Sequence, residues 1–327
     1  MRNVRCWTHG LLLCAGLLLN LSLAAQEYPS KAVTFTVPYP AGGGTDVVAR
    51  SLAEQMARQL GQPVVVDNKP GAGGILGTNA VAKAAADGHT VLIGLTQSVL
   101  TNQFLYSKLP YDPRKDLALV SQIATAPLLL LVPTNSPVQS LGDLRRMLEK
   151  SKGAASCGSW GAGSYPHLAC AHMASSLKTS ITHVAYKGEA PMLQDLVGGQ
   201  LTFALGSLIS AKPYMDGGRL RALAVTGEQR VPALAGVPTF AEGAMPDPEY
   251  RVSGWIAMLV PLATPSPVVS RLQQAAQQAI NSPELRKRFE ALGMVAVGST
   301  AEQFRQGYAA DWPVWERLVK VSGAKLD

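Results

Sequence analysis

Two glycine-rich stretches carry the groups best suited to hold a small anion. The first is Pro38-Tyr39-Pro40-Ala41-Gly42-Gly43-Gly44-Thr45-Asp46. Consecutive glycines let the backbone approach a ligand closely and aim N–H groups at it. Thr45 reads as the N-cap of the following helix, whose N-terminus favours negative charge. A carboxylate is the natural occupant. The second stretch is Ser159-Trp160-Gly161-Ala162-Gly163-Ser164-Tyr165-Pro166-His167. Here Ser159 and Ser164 add hydroxyls, while Gly161 and Gly163 add approachable N–H groups. Two such loops in the two halves of one chain predict a cleft that grips a ligand from both sides.

Competing chemistries fail on pattern. A dinucleotide loop needs G-x-G-x-x-G, but Val47 stands at the third glycine position of the first loop. The run Gly71-Ala72-Gly73-Gly74-Ile75-Leu76-Gly77 also misses, with Leu76 where glycine is required. It reads instead as a tight helix–sheet turn. No Walker lysine motif is present. Ser164 and His167 do not form a hydrolase motif, because Pro166 replaces the last glycine of G-x-S-x-G. His167 is equally suited to bonding the loop backbone. His89, His172 and His183 lack metal-ligand spacing, and no carboxylate pair suits acid–base work. No catalytic residue, metal or cofactor is expected.

Strand and helix patterns must place these loops. Ala32–Val37 reads as a strand, and 46–60 as a helix with Val48, Leu52, Met56 and Leu60 on one stripe. Strands then follow near 64–67, 90–94, 117–123, 128–132, 155–159, 182–185, 201–205, 222–226 and 255–260. Helices interleave near 75–86, 141–150, 167–177, 191–198, 268–281, 283–292 and 301–321. This alternation predicts an α/β fold with mostly parallel sheets covered on both faces. Both loops then lie at strand carboxyl ends, where open α/β sheets bind ligands. No flexible linker divides the chain, so strand-like crossings near 123–127 and 250–255 should join the lobes.

The 327 residues exceed one usual domain, and 47% hydrophobic content supplies sizeable cores. The net charge is +7 without a basic block, so nucleic acid is not an expected partner. Arg2 and Arg5 precede the apolar run Gly10–Leu23, and small residues end it. This predicts a signal peptide over 1–25, cleaved after Ala24 or Ala25. The run is too short for a membrane span, and its removal lowers the charge from +7 to +5. Cys157 and Cys170 then remain, either as a disulfide suited to an oxidising compartment or as two buried thiols.

In order along the chain, these motifs resemble the Bug family, the solute-binding receptors of tripartite tricarboxylate transport systems. The first loop carries the resemblance together with Asn68-Lys69-Pro70-Gly71-Ala72-Gly73-Gly74 and Lys108-Leu109-Pro110-Tyr111-Asp112-Pro113. Gly161-Ala162-Gly163-Ser164, Tyr186-Lys187-Gly188, Leu220–Thr226 and Gly236-Val237-Pro238-Thr239 extend it. The resemblance implies a two-domain Venus-flytrap of type II-like form, with domain 1 over 26–125, domain 2 over 126–250, and 251–327 rejoining domain 1. It implies a monomeric periplasmic receptor for a small carboxylate, serving membrane permease subunits. A ligand-sensing subunit and an exported small-ester hydrolase are the alternatives. Carried over by motif, the ligand contacts are Tyr39, Ala41, Gly42, Gly43, Thr45, Asp46, Thr96 and Ser98, facing Ser159, Gly163, Ser164 and Tyr186. Asp46 is expected to brace its loop rather than touch the anion. Where the family places acids, this chain has Thr202 and Gly206. Gly206 is therefore expected to leave the cleft roomier and less negative, suiting a ligand without an amino group or with a larger distal part.

Overall fold

The computed structural model describes residues 28–151 and 153–327. The expected signal peptide lies outside the described residues. β1 (Val33–Val37), β2 (Val64–Asn68) and β3 (Thr90–Leu95) alternate with α1 (Gly44–Leu60) and α2 (Ile75–Ala82). The stripe Val48, Leu52, Met56 and Leu60 is buried, and α1 ends on Gly61, whose φ of 70° lets its N–H close on the Ala57 carbonyl. α2 stops four residues short of its expected end, because Lys83 already leaves helical geometry.

The long β4 (Leu117–Ala126) leads into a second set of elements. These are β5 (Leu129–Pro133), α3 (Leu141–Lys150), β6 (Ala155–Ser159), α4 (Tyr165–Ser176) and β7 (Ile181–Ala185). They continue with α5 (Glu189–Val197), β8 (Phe203–Gly206), α6 (Leu208–Asp216) and β9 (Leu220–Val225). The chain returns through β10 (Gly254–Pro261) to α7 (Ser266–Ile280), α8 (Pro283–Ala291), β11 (Val295–Ala296) and α9 (Ala301–Ser322).

Two sheets result, ordered β11-β4-β10-β3-β1-β2 and β7-β6-β8-β5-β9. They are mixed rather than mostly parallel. β1 runs parallel to β2 and β3, and β6 to β7 and β8. β10 runs against β3 and β4, and β5 against β8 and β9. The reason is topological. β5 and β10 enter from the opposite lobe, at the end where their neighbours finish, and so point the other way. The two crossings lie side by side. Ala126 faces Gly254 in register. Just beyond, Leu128 N–H donates to Thr226 Oγ1, and Thr226 N–H donates to the Leu128 carbonyl, both at 2.9 Å.

Each sheet buries both faces, as the apolar runs require. In the first, Leu52, Met56, Leu272 and Phe289 cover one side, and Trp255, Phe304, Trp315 and Leu318 the other. In the second, Leu144, Met173 and Phe203 form one layer, and Leu131, Met192 and Leu196 the opposite one. α9 starts with a capping box between Thr300 and Gln303. It packs on α4 of the other lobe, so Leu168 joins the core made by Trp255, Phe304 and Trp315. Tyr165 meets Trp315 edge-on at 4.7 Å, and Arg317 pairs with Glu249 at 3.0 Å. Among the described residues, no helix is long and apolar enough to cross a membrane.

Candidate functional site

The first loop turns between β1 and α1 around a buried carboxylate. Asp46 is 3% exposed. It accepts from Gly42 N–H at 2.9 Å, Arg50 Nε at 3.0 Å and Asn68 Nδ2 at 2.9 Å. Burial pushes its pKa up, but the bonds from Arg50, Gly42 and Asn68 outweigh this and hold it below the ordinary value. Asp46 thus braces the loop through these three bonds. Gly42 needs its glycine, because its φ is +82°. The N-cap is Gly43 rather than Thr45, and no side chain caps the helix. Thr45 is buried inside the first turn, while Ala41, Gly42 and Gly43 present exposed backbone.

The run Gly71–Gly74 packs beneath this loop as a structural turn. A Cβ on Gly74 would lie 2.9 Å from Ser98 Cβ and 3.0 Å from the Tyr39 hydroxyl. Tyr39 and Ser98 are therefore neighbours under the turn. Tyr39 has its pKa raised by burial, and its hydroxyl has no partner among the described residues. The Ser98 carbonyl accepts from the Tyr111 hydroxyl at 2.6 Å. Thr96 follows β3, and its Oγ1 accepts from Trp255 N–H at 2.8 Å, tying β3 to the returning strand.

On the other lobe, the loop between β6 and α4 is bound to itself. Ser159 is fully buried, and its Oγ lies 2.7 Å from His183 Nε2 and 3.2 Å from Gly161 N. Ser164 Oγ donates to the Gly161 carbonyl at 2.6 Å. Gly163 N–H donates to His167 Nδ1 at 3.0 Å. His167 therefore serves the loop backbone and makes no pair with Ser164. The rings of His167 and His183 stack with centroids 3.9 Å apart. Burial lowers both pKa values, and the neighbouring His167 helps bring His183 to about 4. Cys157 on β6 and Cys170 on α4 are joined as a disulfide, which encloses this loop.

Two expectations about the second lobe are corrected. Gly206 is buried, and a Cβ there would lie 3.0 Å from Leu131 Cδ1 and 3.1 Å from Glu189 Oε1. The space beside Gly206 is filled, and filled by an acid, so this position is neither roomier nor less negative. Glu189 accepts from Ser207 N–H, from Ser207 Oγ at 2.9 Å and from Ser210 Oγ at 2.8 Å. Burial raises its pKa. Sequence reasoning missed it, although it follows Tyr186-Lys187-Gly188 directly. Thr202 exchanges bonds with Ser156 near the start of β6, at the opposite end of the strand from Ser159. Tyr186 gives its hydroxyl to Asp195 at 2.8 Å, and burial together with Asp195 pushes its pKa up to about 12.

Thr96, Gly163 and Ser164 do converge. They share the wall of a half-enclosed cavity of about 160 Å³ between the lobes. Trp160, Trp255 and Trp315 complete much of it. Trp160 belongs to the second glycine-rich stretch, whereas Trp255 and Trp315 come from distant segments that no local pattern links to it. Among the described residues, no group of three potential ligands could hold a metal.

Two α/β lobes joined by paired crossings, with polar loops of both meeting at a cavity, define a binding protein of the periplasmic type. The tripartite tricarboxylate transporter family receptor, TctC, matches residues 48–323. BugT of Bordetella pertussis is 33% identical, covering 93% of each chain. A Rhodopseudomonas palustris protein solved with adipate is 33% identical, with a TM-score of 0.79 over 92% of this chain and all of that one. MatC of the same organism, solved with bound malate, is 32% identical, with a TM-score of 0.74 over 89% and 100%. This chain belongs to the TctC family of periplasmic solute-binding receptors, which are not enzymes.

Proposed function

We propose that this chain is exported by its N-terminal signal and captures a small carboxylate-bearing metabolite between two domains. It then delivers that ligand, as a monomer, to a tripartite tricarboxylate-type permease. The observation that carries this reading is the meeting of Thr96 from one lobe with Gly163 and Ser164 from the other around one cavity. The uncapped start of α1, presented by Ala41, Gly42 and Gly43, adds a favourable end for an anion. The adipate and malate held by the two R. palustris proteins support the same ligand class. The domains divide near 126 and 250, and ligand bridging favours the closed arrangement through its larger contact set.

Calorimetric titration with malate and adipate, paired with solution scattering, tests this. Saturable binding with a smaller radius of gyration is expected. Binding by no carboxylate, or saturation without compaction, overturns the reading. Ser164→Ala should weaken binding by about 1–3 kcal/mol as a buried hydroxyl is lost from the site. An unchanged dissociation constant removes Ser164 from it.

A further inference from the structure

We propose that Leu326 is a positioning residue for ligand binding. Together with Leu105 it props the Gly163 turn of the second lobe from the first lobe, so the segment after α9 sets the shape of the cavity wall. This rests on the carboxylate-binding reading and adds to it a residue far in sequence from both glycine-rich loops.

The segment is strapped onto the first lobe at three points. α9 is already finished before it begins, since Gly323 takes a φ of 64° and its N–H closes on the Lys320 carbonyl at 3.3 Å. The residues beyond then run beside 104–107, which follow β3 in the first lobe. Lys325 Nζ donates to the Phe104 carbonyl at 3.4 Å, and Leu326 N–H to the Leu105 carbonyl at 2.9 Å. Asp327 Oδ2 accepts from Ser107 N–H at 2.6 Å and from Ser107 Oγ. These bonds from Ser107 hold the Asp327 carboxyl below its ordinary pKa. None of the three ties belongs to a helix or sheet ladder. What they fix is the side chain between them, Leu326.

That side chain meets the other lobe. Gly163 has a φ of +74°, and a Cβ there would lie 3.1 Å from Leu105 Cδ1, Leu105 Cδ2 and Leu326 Cδ1. Gly163 N–H is taken by His167 Nδ1, and Ser164 Oγ by the Gly161 carbonyl. The loop therefore brings the cavity a shape rather than free donors, and Gly163 and Ser164 are part of the wall shared with Thr96. α4, just behind, is fixed to the first lobe by other means. Leu168 lies in that lobe's core, and Tyr165 Oη donates to the Val252 carbonyl at 2.7 Å. Leu105 and Leu326 extend this hold to the turn ahead of the helix. Leu105 is fully buried, whereas Leu326 is half-buried, so Leu326 is the member that can be changed with little damage to the core. A loop already held in its binding shape has less freedom to lose when ligand arrives.

The test compares the purified mature protein with Leu326→Ala and Leu326→Met. Malate and adipate are titrated by calorimetry, and hydrogen exchange is followed without ligand at the Gly163 and Ser164 amides. Leu326→Ala should weaken binding about three- to tenfold, the effect of a loop that must be ordered on binding. Exchange at both amides should quicken by a similar factor, while exchange in β5 and β8, in the second sheet, stays unchanged. Leu326→Met refills the space and should restore both readouts. If Leu326→Ala leaves the loop's exchange or the affinity as it was, the proposal is overturned. If exchange rises equally in β5 and β8, the residue acts on general stability and the proposal is again overturned. If neither acid binds the unaltered protein while the loop's exchange quickens in Leu326→Ala, the prop on the loop stands and the carboxylate reading falls.

Discussion

Replacing Asp46 by alanine strips Gly42, Arg50 and Asn68 of one shared acceptor. Because the carboxylate is buried, the loss is expected to cost about 2–3 kcal/mol in denaturant unfolding. Two other groups set a pH dependence of opposite sign. His183 has its pKa depressed to about 4, so the unfolded chain binds its proton first. Its contribution is complete above about pH 6.5 and is lost as pH falls toward 4. Asp311, buried against Trp255, is raised to about 6. The folded state keeps that proton longer, so stability falls as pH rises from about 4 to 6. In the native chain the two trends offset each other. Melting curves between pH 4 and 7 should therefore steepen in Asp311→Asn, losing stability toward acid, and reverse slope in His183→Gln. Identical profiles for all three proteins would refute the assignment. At this scale the sequence disclosed what glycine clusters advertise: the loops holding Gly42, Gly163 and Ser164. It did not disclose Glu189, Asp311 or Trp315. Their roles come from neighbours that are distant along the chain, and no local pattern marks them.

α4 and α9 bind the lobes at the level of elements. Leu168 sits on α4 directly behind Ser164, yet its side chain is buried in the core of the first lobe with Phe304 and Trp315. Leu168→Ala should destabilise the protein by about 2–5 kcal/mol, measured by chemical unfolding. A cost under 1 kcal/mol would mean that the junction is loosely packed. Long amphipathic helices such as α1 and α9 were legible, because their apolar stripes repeat over several turns. α6 was not, since it is short, contains Pro213 and has a weak stripe. β11 pairs only two residues, too few for alternation to register. Strand direction was misread for a different reason. Alternation of strands and helices identifies βαβ units, but it carries no information about strands that arrive from another lobe.

Across the whole molecule, the lobes touch at their lips as well as at the crossings. A Cβ on Gly293, between α8 and β11, would lie 2.4 Å from Leu208 Cβ at the start of α6. Leu208 is 3% exposed, packed in the core of its own lobe with Leu129, Leu131 and Leu193 as well as against this approach. Leu208→Ala removes apolar contact across the lip as well as within the core of the second lobe. It should raise the ligand-free radius of gyration and weaken binding about three- to tenfold, beside the stability loss of about 2–5 kcal/mol that truncating a buried leucine brings. No change in scattering or affinity would mean that the lip contact does not bias closure.

The crossings also dictate an order of assembly. All the strands of the second sheet, β5 to β9, are consecutive in sequence. The first sheet is divided: β1 to β4 come early, but β10 must slot between β3 and β4 after more than a hundred intervening residues. Long-range pairing of this kind forms slowly. A chain emerging amino end first therefore exposes β3 and β4 as open edges while the second lobe is already able to fold. The first sheet's middle strand arrives only after the whole second lobe, and until it does the vulnerable surface is the lobe that began first.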